Sequence, residues 1–276
     1  MSSSSNLWVV KVGGAELSPG PDLAQFVLWA TRQLRRGRRL VVVHGGGEEV
    51  TARAAQLDLP TEKRAGQRVT SDAMLEVVAE VLAGRVNVRL TNALQSAGVP
   101  AVGLTGVSGR ILPVHPAGTP PGSLGWVGEP DAARTRLLLK LLEEGLTPVV
   151  APLGSDEVGR VYNVNADLAA GAIAAALGAP LLLVSDVPGV HDAAGTVLSH
   201  LRPSEAKMLL RDGIARDGMI PKLTAALRAE QAGATTVWVG SLSTLGDDPG
   251  HPHGGTVLGE IREGPVPLLP TSSAGG

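Results

Sequence analysis

The sequence predicts a parallel α/β fold, and two observations support this prediction. Val-rich runs at residues 7–12 and 39–43 each end in glycines, and each is followed by a segment whose apolar residues recur at helical spacing. Such an alternation is typical of a parallel sheet covered by helices. The chain has 276 residues, 43% of them hydrophobic, so it is long and apolar enough for one large domain or two tightly joined lobes.

The remaining elements follow the same alternation. Buried strands are predicted at 100–104, 147–151, 181–184 and 235–239. Helices are predicted at 21–36, 47–58, 71–97, 131–144, 166–177, 203–212 and 217–232, and several begin at capping residues: Ser71, Asn165 with Asp167, and Ser204 with Glu205. Between residues 105 and 130, glycines, prolines and short alternating runs predict β-hairpins at the edge of the sheet. Residues 265–276 lack periodicity, and we expect this tail to be frayed.

Composition excludes several classes of function. The aromatic residues number four Trp, one Tyr and one Phe, too few for the stacking platforms of single-strand nucleic-acid binders. A net charge of -2 provides no basic surface for nucleic acid. Cysteine is absent, which excludes a disulfide framework, a thiolate nucleophile, a zinc ribbon and an iron–sulfur cluster. We therefore expect no nucleic-acid partner.

One apolar stretch approaches membrane-spanning length. Residues 168–184 carry no charge, but Gly178 and Pro180 interrupt them, and the stretch changes there from Ala-rich to Leu/Val-rich. A helix followed by a buried strand is the better interpretation, and no membrane association is expected. Residues 1–6 lack a basic region and lead directly into a strand that contains Lys11, which is not typical of a signal peptide. We expect a cytoplasmic protein.

Glycines follow the first two strands where a ligand is expected. Gly13 and Gly14 come after Lys11, and residues 45–47 are three glycines between the second strand and a helix. Backbone amides without a Cβ can approach an anion closely, and a helix N-terminus adds donors and a favourable dipole. The carboxyl ends of parallel strands are also where open α/β sheets bind ligands. The alternative is that each glycine pair only forms a tight turn.

The common nucleotide fingerprints are missing. The sequence contains no G-x-x-x-x-G-K-[ST] motif and no G-x-G-x-x-G after a strand, so a P-loop or Rossmann site is not indicated. The His-Gly-Gly-Gly run at 44–47 is similar to the oxyanion loop of lipase-like hydrolases. That chemistry requires a G-x-S-x-G elbow, which the chain lacks.

Polar residues concentrate in two later segments. Asn163 and Asn165 would lie on one side of an extended segment, and Asp167 enters the next helix. One of these residues could be only an N-cap, but two Asn and one Asp exceed what one cap requires. In the second segment, Gly218 and Pro221 fix a turn that presents Lys222 near a helix start. A lone lysine is most often a solvated side chain.

Seven separated motifs then occur between residues 7 and 258: KVGG at 11–14, VHGGG at 43–47, QRVT at 67–70, AVGLTG at 101–106, YNVNAD at 162–167, SDVPGV at 185–190 and GMIPK at 218–222. Their order and spacing resemble the acetylglutamate kinases of the amino-acid kinase family. The resemblance implies a three-layer α/β/α sandwich with an open, mainly parallel eight-stranded central sheet. It also implies an N-terminal lobe, 1–178, for the acylated amino acid and dimerisation, and a C-terminal lobe, 179–264, for ATP.

The resemblance assigns roles to the polar residues. Lys11 and Lys222 would follow the transferred phosphoryl group, and Asp167 would hold both lysines in place. The amides of Gly13, Gly14, Gly45 and Gly46 would bind phosphate oxygens, and Ser185 and Asp186 would lie at the nucleotide. The acyl substrate would contact Arg68, Asn163 and Asn165. Mg²⁺ would be held mainly by the ATP phosphates, without a dedicated protein site.

The implied reaction is the ATP-dependent phosphorylation of the γ-carboxylate of N-acetyl-L-glutamate in arginine biosynthesis. This nucleophile is already ionised at pH 7, so no general base is needed and the lack of a catalytic His or Cys is expected. The first alternative is a kinase for a carrier-protein-bound aminoadipate or glutamate, for which the chain shows no basic groove. The second is a catalytically silent amino-acid sensor, against which the retention of Lys11, Asp167 and Lys222 argues.

Two positions depart from the family pattern, since Val88 stands where Lys is usual and Ser185 where Thr is usual. Family members inhibited by arginine carry an additional N-terminal helix that joins dimers into a hexamer. Without such a helix before the first strand, we expect a homodimer with weak arginine sensitivity at most. His251 and His253 could bind a metal, but a Pro/Gly-rich loop without a third ligand is usually only a loop.

Overall fold

The computed structural model describes residues 6–64, 66–215, 218–246 and 254–259. The strands are β1 (Leu7–Val12), β2 (Arg39–His44), β3 (Lys63–Arg64), β4 (Gln67–Arg68), β5 (Ala101–Thr105), β6 (Val114–Pro116), β7 (Val127–Pro130), β8 (Thr147–Ala151), β9 (Leu153–Ser155), β10 (Val161–Val164), β11 (Leu181–Val184), β12 (His200–Leu201), β13 (Val237–Gly240) and β14 (Thr256–Leu258). The helices are α1 (Pro21–Arg35), α2 (Gly47–Gln56), α3 (Asp72–Ala79), α4 (Asn87–Ser96), α5 (Arg136–Glu143), α6 (Ala166–Leu177), α7 (Pro203–Arg211) and α8 (Met219–Ala232).

Eight strands form the central sheet in the order β12-β14-β13-β11-β1-β2-β8-β5. All neighbours are parallel except the antiparallel pair β13 and β14. The sequence prediction of an open, mainly parallel eight-stranded sheet is therefore confirmed. Strands that follow residue 179 lie on one side of β1, and β2, β8 and β5 lie on the other.

The sheet separates two apolar cores, because alternate side chains of a strand point to opposite faces. In β1, Leu7 and Val9 pack with the residues of α5 to α8, whereas Trp8, Val10 and Val12 pack with those of α1 to α4. The other central strands divide in the same way. This arrangement gives the three layers that the sequence predicted.

Two of the predictions for connecting segments were wrong. The hairpin region is not at the edge of the central sheet: β6 and β7 join β10 and β9 in a separate four-stranded sheet. The helix predicted at 131–144 begins only at Arg136. The amides of Asp131 and Arg134 donate instead to the carbonyls of Pro113 and Ile111, so tertiary hydrogen bonds keep this segment out of the helix.

A long helical stretch from α3 to α4 has an irregular middle. Ser71 caps α3 by accepting a hydrogen bond from the Met74 amide at 3.3 Å, as the sequence predicted. Between the two helices, Glu80–Val86 forms a π-helical segment, a feature that is rare and often found at functional sites. The segment contains Gly84 and leads directly into Asn87, a polar residue whose side chain is buried.

The apolar stretch at 168–184 is the helix and buried strand that the sequence predicted. Helix α6 ends at Leu177, and Gly178 follows in the left-handed region with φ 57°, a conformation in which glycine is the favoured residue. Strand β11 begins three residues later and is fully buried. None of the helices in the described part of the chain combines the length and the apolar character needed to cross a membrane.

Candidate active site

The predicted site residues up to Asp167, with the exception of Gly13, line one cleft. It lies at the carboxyl ends of β1 and β2, has a volume of about 260 Å³, and is also bordered by the hairpin β3–β4 and the start of α6. The predicted residues that line it are Lys11, Gly14, Gly45, Gly46, Arg68, Asn163, Asn165 and Asp167. The position agrees with the rule that open α/β sheets bind ligands beyond their strand ends.

Lys11 and Asp167 form a buried ion pair on one wall of the cleft. The Lys11 Nζ atom lies 2.9 Å from Asp167 Oδ1, and each side chain is only 9% exposed. Lys11 is the fifth residue of β1, and Asp167 is in the first turn of α6. Charges with so little water around them are costly unless they are paired, so this pair fixes the Lys11 ammonium at the cleft.

The glycine turns after β1 and β2 pack against each other. A Cβ on Gly14 would lie 2.8 Å from the Gly46 backbone, closer than side chains are found, so only glycine permits the approach. Within the described ranges, the amides of Gly13, Gly14 and Gly46 donate to no protein acceptor. The Gly45 amide donates to the Val12 carbonyl at 2.8 Å, so its predicted role as a phosphate donor was wrong, although Gly45 does line the cleft.

Arg68 projects from the hairpin into the same cleft and is 9% exposed. Its Nη2 atom donates to the Gly47 carbonyl at 2.8 Å and to Thr51 Oγ1 at 2.6 Å. Its Nη1 atom is buried and has no hydrogen-bond partner among the residues that the structure describes. Burial lowers the pKa of this guanidinium from its usual value, which means that a carboxylate partner would be favourable. Arg68 is therefore not a solvated surface charge.

The two asparagines differ in how much of the side chain remains available. The Asn163 Nδ2 atom donates to Thr70 Oγ1 at 3.1 Å, and the carboxamide oxygen is left for a ligand. In Asn165, Oδ1 accepts hydrogen bonds from the Asp167 and Leu168 amides at 2.8 and 3.1 Å. Asn165 is therefore the N-cap of α6, as the structural alternative proposed, and only its Nδ2 atom can serve a ligand in the cleft.

A second cavity, of about 390 Å³, lies beyond the ends of β11 and the start of α8. Asp186, His191, Gly218 and Lys222 are among its lining residues. Lys222 Nζ makes a long hydrogen bond of 3.4 Å to the Gly218 carbonyl. Ser185 lines neither this cavity nor the first: it is buried, and its hydroxyl accepts from the Val187 amide at 3.5 Å. The nucleotide contact of Ser185 stays a prediction, although its neighbour Asp186 does line this cavity.

Sequence reasoning missed Glu16, which interacts electrostatically with Lys11 of the first cavity and with Asp186 and Lys222 of the second. A Cβ on Gly13 would collide with the Glu16 carboxylate, so this side chain covers the first glycine turn. Burial raises the pKa of Glu16 and the charge of Asp186 raises it further, while a hydrogen bond from its own amide and the charges of Lys11 and Lys222 oppose the shift. Three charges from both cavities thus act on the Glu16 carboxylate. Glu16 is a single acidic residue in a short turn and belongs to none of the motifs, so the sequence did not point to it.

The donor set fits a bound nucleotide better than a resident metal ion. No group of three or more His, Cys, Asp or Glu side chains in the described ranges is arranged to hold a metal. Free amides at Gly13, Gly14 and Gly46, with Lys11 and Lys222, suit phosphate oxygens. A Mg²⁺ ion carried by phosphates needs only one or two carboxylates from the protein. His251 and His253, which the sequence suggested as metal ligands, lie outside the described residues.

Comparison with family models gives a match to the amino acid kinase family over residues 6–241. Among curated proteins, the chain is 40% identical over 256 residues to an acetylglutamate kinase of Geobacillus kaustophilus, covering 92% of this chain and 96% of that protein. It is 42% identical over 264 residues to an acetylglutamate kinase of Chloroflexus aurantiacus, covering 92% and 98%. Among solved structures, smu.665 of Streptococcus mutans superposes with a TM-score of 0.79 at 27% identity, covering 92% of this chain and 98% of that one.

Proposed function

The chain belongs to the amino acid kinase family, and we propose that it is an acetylglutamate kinase. It transfers the γ-phosphoryl group of ATP to the γ-carboxylate of N-acetyl-L-glutamate, giving N-acetyl-γ-glutamyl phosphate in arginine biosynthesis. Acetylglutamate kinases about 40% identical to the chain over most of its length support this assignment. The cytoplasmic location expected from the sequence stays a prediction.

One structural observation supports this substrate most directly. Arg68 lines the same cleft as the Lys11–Asp167 pair, and its buried Nη1 atom has no partner within the described part of the chain. A buried guanidinium nitrogen without an acceptor is costly, and a carboxylate is its best partner because the two groups form charge-assisted hydrogen bonds. An acid bound through one carboxylate at Arg68 would have room to present a second carboxylate towards Lys11.

The protein's contribution to the reaction is positioning and charge neutralisation, which is what phosphoryl transfer requires. Lys11, held by Asp167, and Lys222 would balance the negative charge on the transferred group. The amides of Gly13, Gly14 and Gly46 would donate to phosphate oxygens. Asn163 and the Nδ2 atom of Asn165 would orient the acyl substrate. No proton must be removed from an ionised carboxylate, so no base is assigned.

The cofactor assignment follows from the donor set. Mg²⁺ bound to the ATP phosphates would neutralise part of their charge. Asp186, which lines the second cavity with Lys222, and Glu16, which interacts with both residues, would be its carboxylate ligands. The residues proposed for the two substrates come from different parts of the chain. Arg68, Asn163, Lys11 and Asp167 belong to residues 1–178, which we assign to the acyl substrate, and Asp186 and Lys222 belong to 179–264, which we assign to ATP.

We also propose that the protein is a homodimer. Strand β5 is the edge of the central sheet, and its Val102, Gly103 and Leu104 are at least partly exposed. Beside it on α4, Val88 is 63% exposed. Uncovered strand edges next to apolar side chains are features that proteins normally cover, and a second copy would do so here. Light scattering should give the mass of a dimer, and a monomer or hexamer would contradict the proposal.

The function is tested by measuring ADP formation with ATP, Mg²⁺ and N-acetyl-L-glutamate. L-glutamate and N-acetyl-L-aspartate are the matched controls for the acetyl group and the chain length. We expect turnover only with N-acetyl-L-glutamate. Turnover restricted to a carrier-protein-bound acid would overturn the assignment in favour of that alternative, and nucleotide or amino-acid binding without any turnover would favour the sensor.

A further inference from the structure

Two buried polar residues, His44 and Asn87, lie directly behind the second glycine turn and have no part in the site described so far. His44 is the last residue of β2 and is completely buried. Its Nδ1 atom lies 2.9 Å from the Gly45 carbonyl oxygen, and its Nε2 atom lies 3.1 Å from Asn87 Nδ2. Neither ring nitrogen is therefore left to act on a substrate.

The backbone around Asn87 determines the direction of these hydrogen bonds. Asn87 Nδ2 lies 2.9 Å from the Val149 carbonyl oxygen and 3.2 Å from the Leu104 carbonyl oxygen. Both groups only accept, so the atom that faces them must be the amide nitrogen. That nitrogen cannot accept, so in its contact with His44 the Nε2 atom must be the acceptor, and the two Nδ2 protons are shared among three acceptors. A neutral imidazole that accepts at one nitrogen carries its proton on the other, and Nδ1 therefore donates to the Gly45 carbonyl.

The hydrogen bond from His44 Nδ1 to the Gly45 carbonyl determines the direction of the Gly46 amide. In a trans peptide the carbonyl of one residue and the N–H of the next point in opposite directions within one plane. When His44 holds the Gly45 carbonyl towards the interior, the Gly46 N–H must point away from it. Gly46 lines the cleft, and within the described residues its amide has no protein acceptor.

The other side of the turn is fixed as well. The Gly45 amide donates to the Val12 carbonyl at 2.8 Å. A Cβ on Gly46 would lie 2.6 Å from Leu82 Cδ2 and 3.2 Å from Val86 Cγ2, so the π-helical segment packs directly on this glycine. The same segment leads into Asn87. Steric contact and hydrogen bonding thus come from one stretch of helix.

We propose that His44 and Asn87 are positioning residues for phosphoryl transfer: Asn87 fixes the imidazole with its proton on Nδ1, and that proton holds the Gly45–Gly46 peptide with the Gly46 amide aimed at the phosphate. The proposal rests on the kinase function above. A misaimed donor lowers the rate of a positioned reaction far more than it lowers the affinity for the other substrate.

Two isosteric variants at His44 test the proposal. Asparagine places its amide nitrogen near the position of Nδ1, so H44N retains the donor to Gly45, whereas glutamine reaches the position of Nε2, so H44Q loses it. We expect kcat of H44Q to fall by about tenfold to a hundredfold, with the KM for N-acetyl-L-glutamate within about twofold, and H44N to recover most of the loss. Equal kcat for the two variants, when urea unfolding shows both to be folded, would overturn the proposal.

A third variant reverses the polarity of the network. N87D keeps the shape of Asn87 but replaces the donor by acceptors, so the imidazole proton should move to Nε2 and the Gly45 carbonyl should lose its partner. Long-range ¹H–¹⁵N NMR of the imidazole should show the Nδ1–H tautomer in the wild type and its loss in N87D. N92D, on the exposed face of the same helix, is the control. An Nε2–H tautomer in the wild type would refute the proposal.

Binding of inorganic triphosphate, measured by calorimetry, separates failure of this proposal from failure of the kinase assignment. It does not depend on which acid is phosphorylated. We expect H44Q and N87D to bind triphosphate about tenfold more weakly than the wild type, which corresponds to about one hydrogen bond to a charged group. N92D should bind like the wild type. Unchanged affinity in H44Q and N87D would contradict the proposal even if the wild type phosphorylates another acid.

Discussion

The two ends of the proposed reaction site are built differently. At the acyl-substrate end, Lys11 and Asp167 are paired at 2.9 Å and almost fully buried, and Arg68 is held by two protein acceptors. At the nucleotide end, Asp186 is exposed, and Lys222 makes one long hydrogen bond of 3.4 Å. The first set of charges is fixed by the protein alone, whereas the second has few protein contacts.

This difference indicates where each end obtains its geometry. Breaking a buried ion pair costs several kcal/mol because it leaves an unpaired buried charge. The acyl-substrate end is therefore arranged before any ligand binds. An exposed charge with weak contacts is held mainly by what binds to it, so the nucleotide itself should complete the other end. If this is correct, equivalent substitutions at the two ends should affect stability very differently while both reduce activity.

The largest combined effect is expected for Lys11→Met. It should lower kcat by about 10²-fold to 10³-fold, the usual result of losing one preorganised donor. It should also lower the free energy of unfolding by about 3–5 kcal/mol, because Asp167 is left buried and unpaired. Activity and urea unfolding measure the two effects, and Lys207→Met, at an exposed lysine on α7, is the control. A variant as stable as the wild type would show that the acyl end is not fixed by this pair.

Lys222→Met should lower kcat by about 10²-fold or more, with a smaller change in the KM for ATP. In contrast to Lys11→Met, it should leave the free energy of unfolding unchanged within about 0.5 kcal/mol, since Lys222 is not buried. Parallel measurement of both lysine variants tests the comparison directly. Retention of most of the activity would return Lys222 to the solvated-surface interpretation.

Arg68→Lys should raise the KM for N-acetyl-L-glutamate by about tenfold to a hundredfold and hardly change the KM for ATP. A lysine cannot reproduce the two parallel bonds of a guanidinium, and each charge-assisted bond contributes about 1.5–3 kcal/mol. Arg64→Lys, on the exposed strand of the same hairpin, is the matched control. If the KM for ATP rises instead, Arg68 does not belong to the acyl-substrate end.

The smallest effect concerns the pH dependence of stability. Burial lowers the pKa of His44 to about 4, whereas an unfolded His titrates near about 6.5. Between these values the unfolded chain binds more protons than the folded one, so stability falls as the pH falls from 6.5 towards 4. The loss at pH 5.5 should be about 1 kcal/mol. Urea unfolding of the wild type and H44N at pH 7.5 and 5.5 measures it, and an equal pH dependence in both would contradict this assignment.

The fold was largely predictable because apolar periodicity reports directly on burial. Strands such as β1 and β11 and the helix α6 were found at their bounds from this pattern. The segment before α5 was not, because Asp131 and Arg134 use their amides in tertiary hydrogen bonds that helical spacing does not reveal. The second sheet was missed for a similar reason: pairing of β7 with β10 joins segments more than thirty residues apart.

The site was predictable only as a set of residues near strand ends. Motifs identified Lys11, Arg68, Asn163 and Asp167, and the structure places all of them in one cleft. The motifs gave no information on which atoms of these residues already have a hydrogen-bond partner in the protein. The Gly45 amide and the Asn165 oxygen are both occupied by protein partners, and the sequence cannot show such competition, because it depends on where the backbone lies in space.

The three glycines after β2 are not under the same steric constraint. Gly45 and Gly46 each face a neighbour so closely that an added Cβ would collide or crowd it, whereas a Cβ on Gly47 would meet nothing within 4 Å. Three identical letters thus carry unequal constraints. Alanine at Gly47 would meet no protein atom within 4 Å and, as the first residue of α2, would favour the helix, so a requirement for glycine at this position would come from a ligand in the cleft that Gly47 lines.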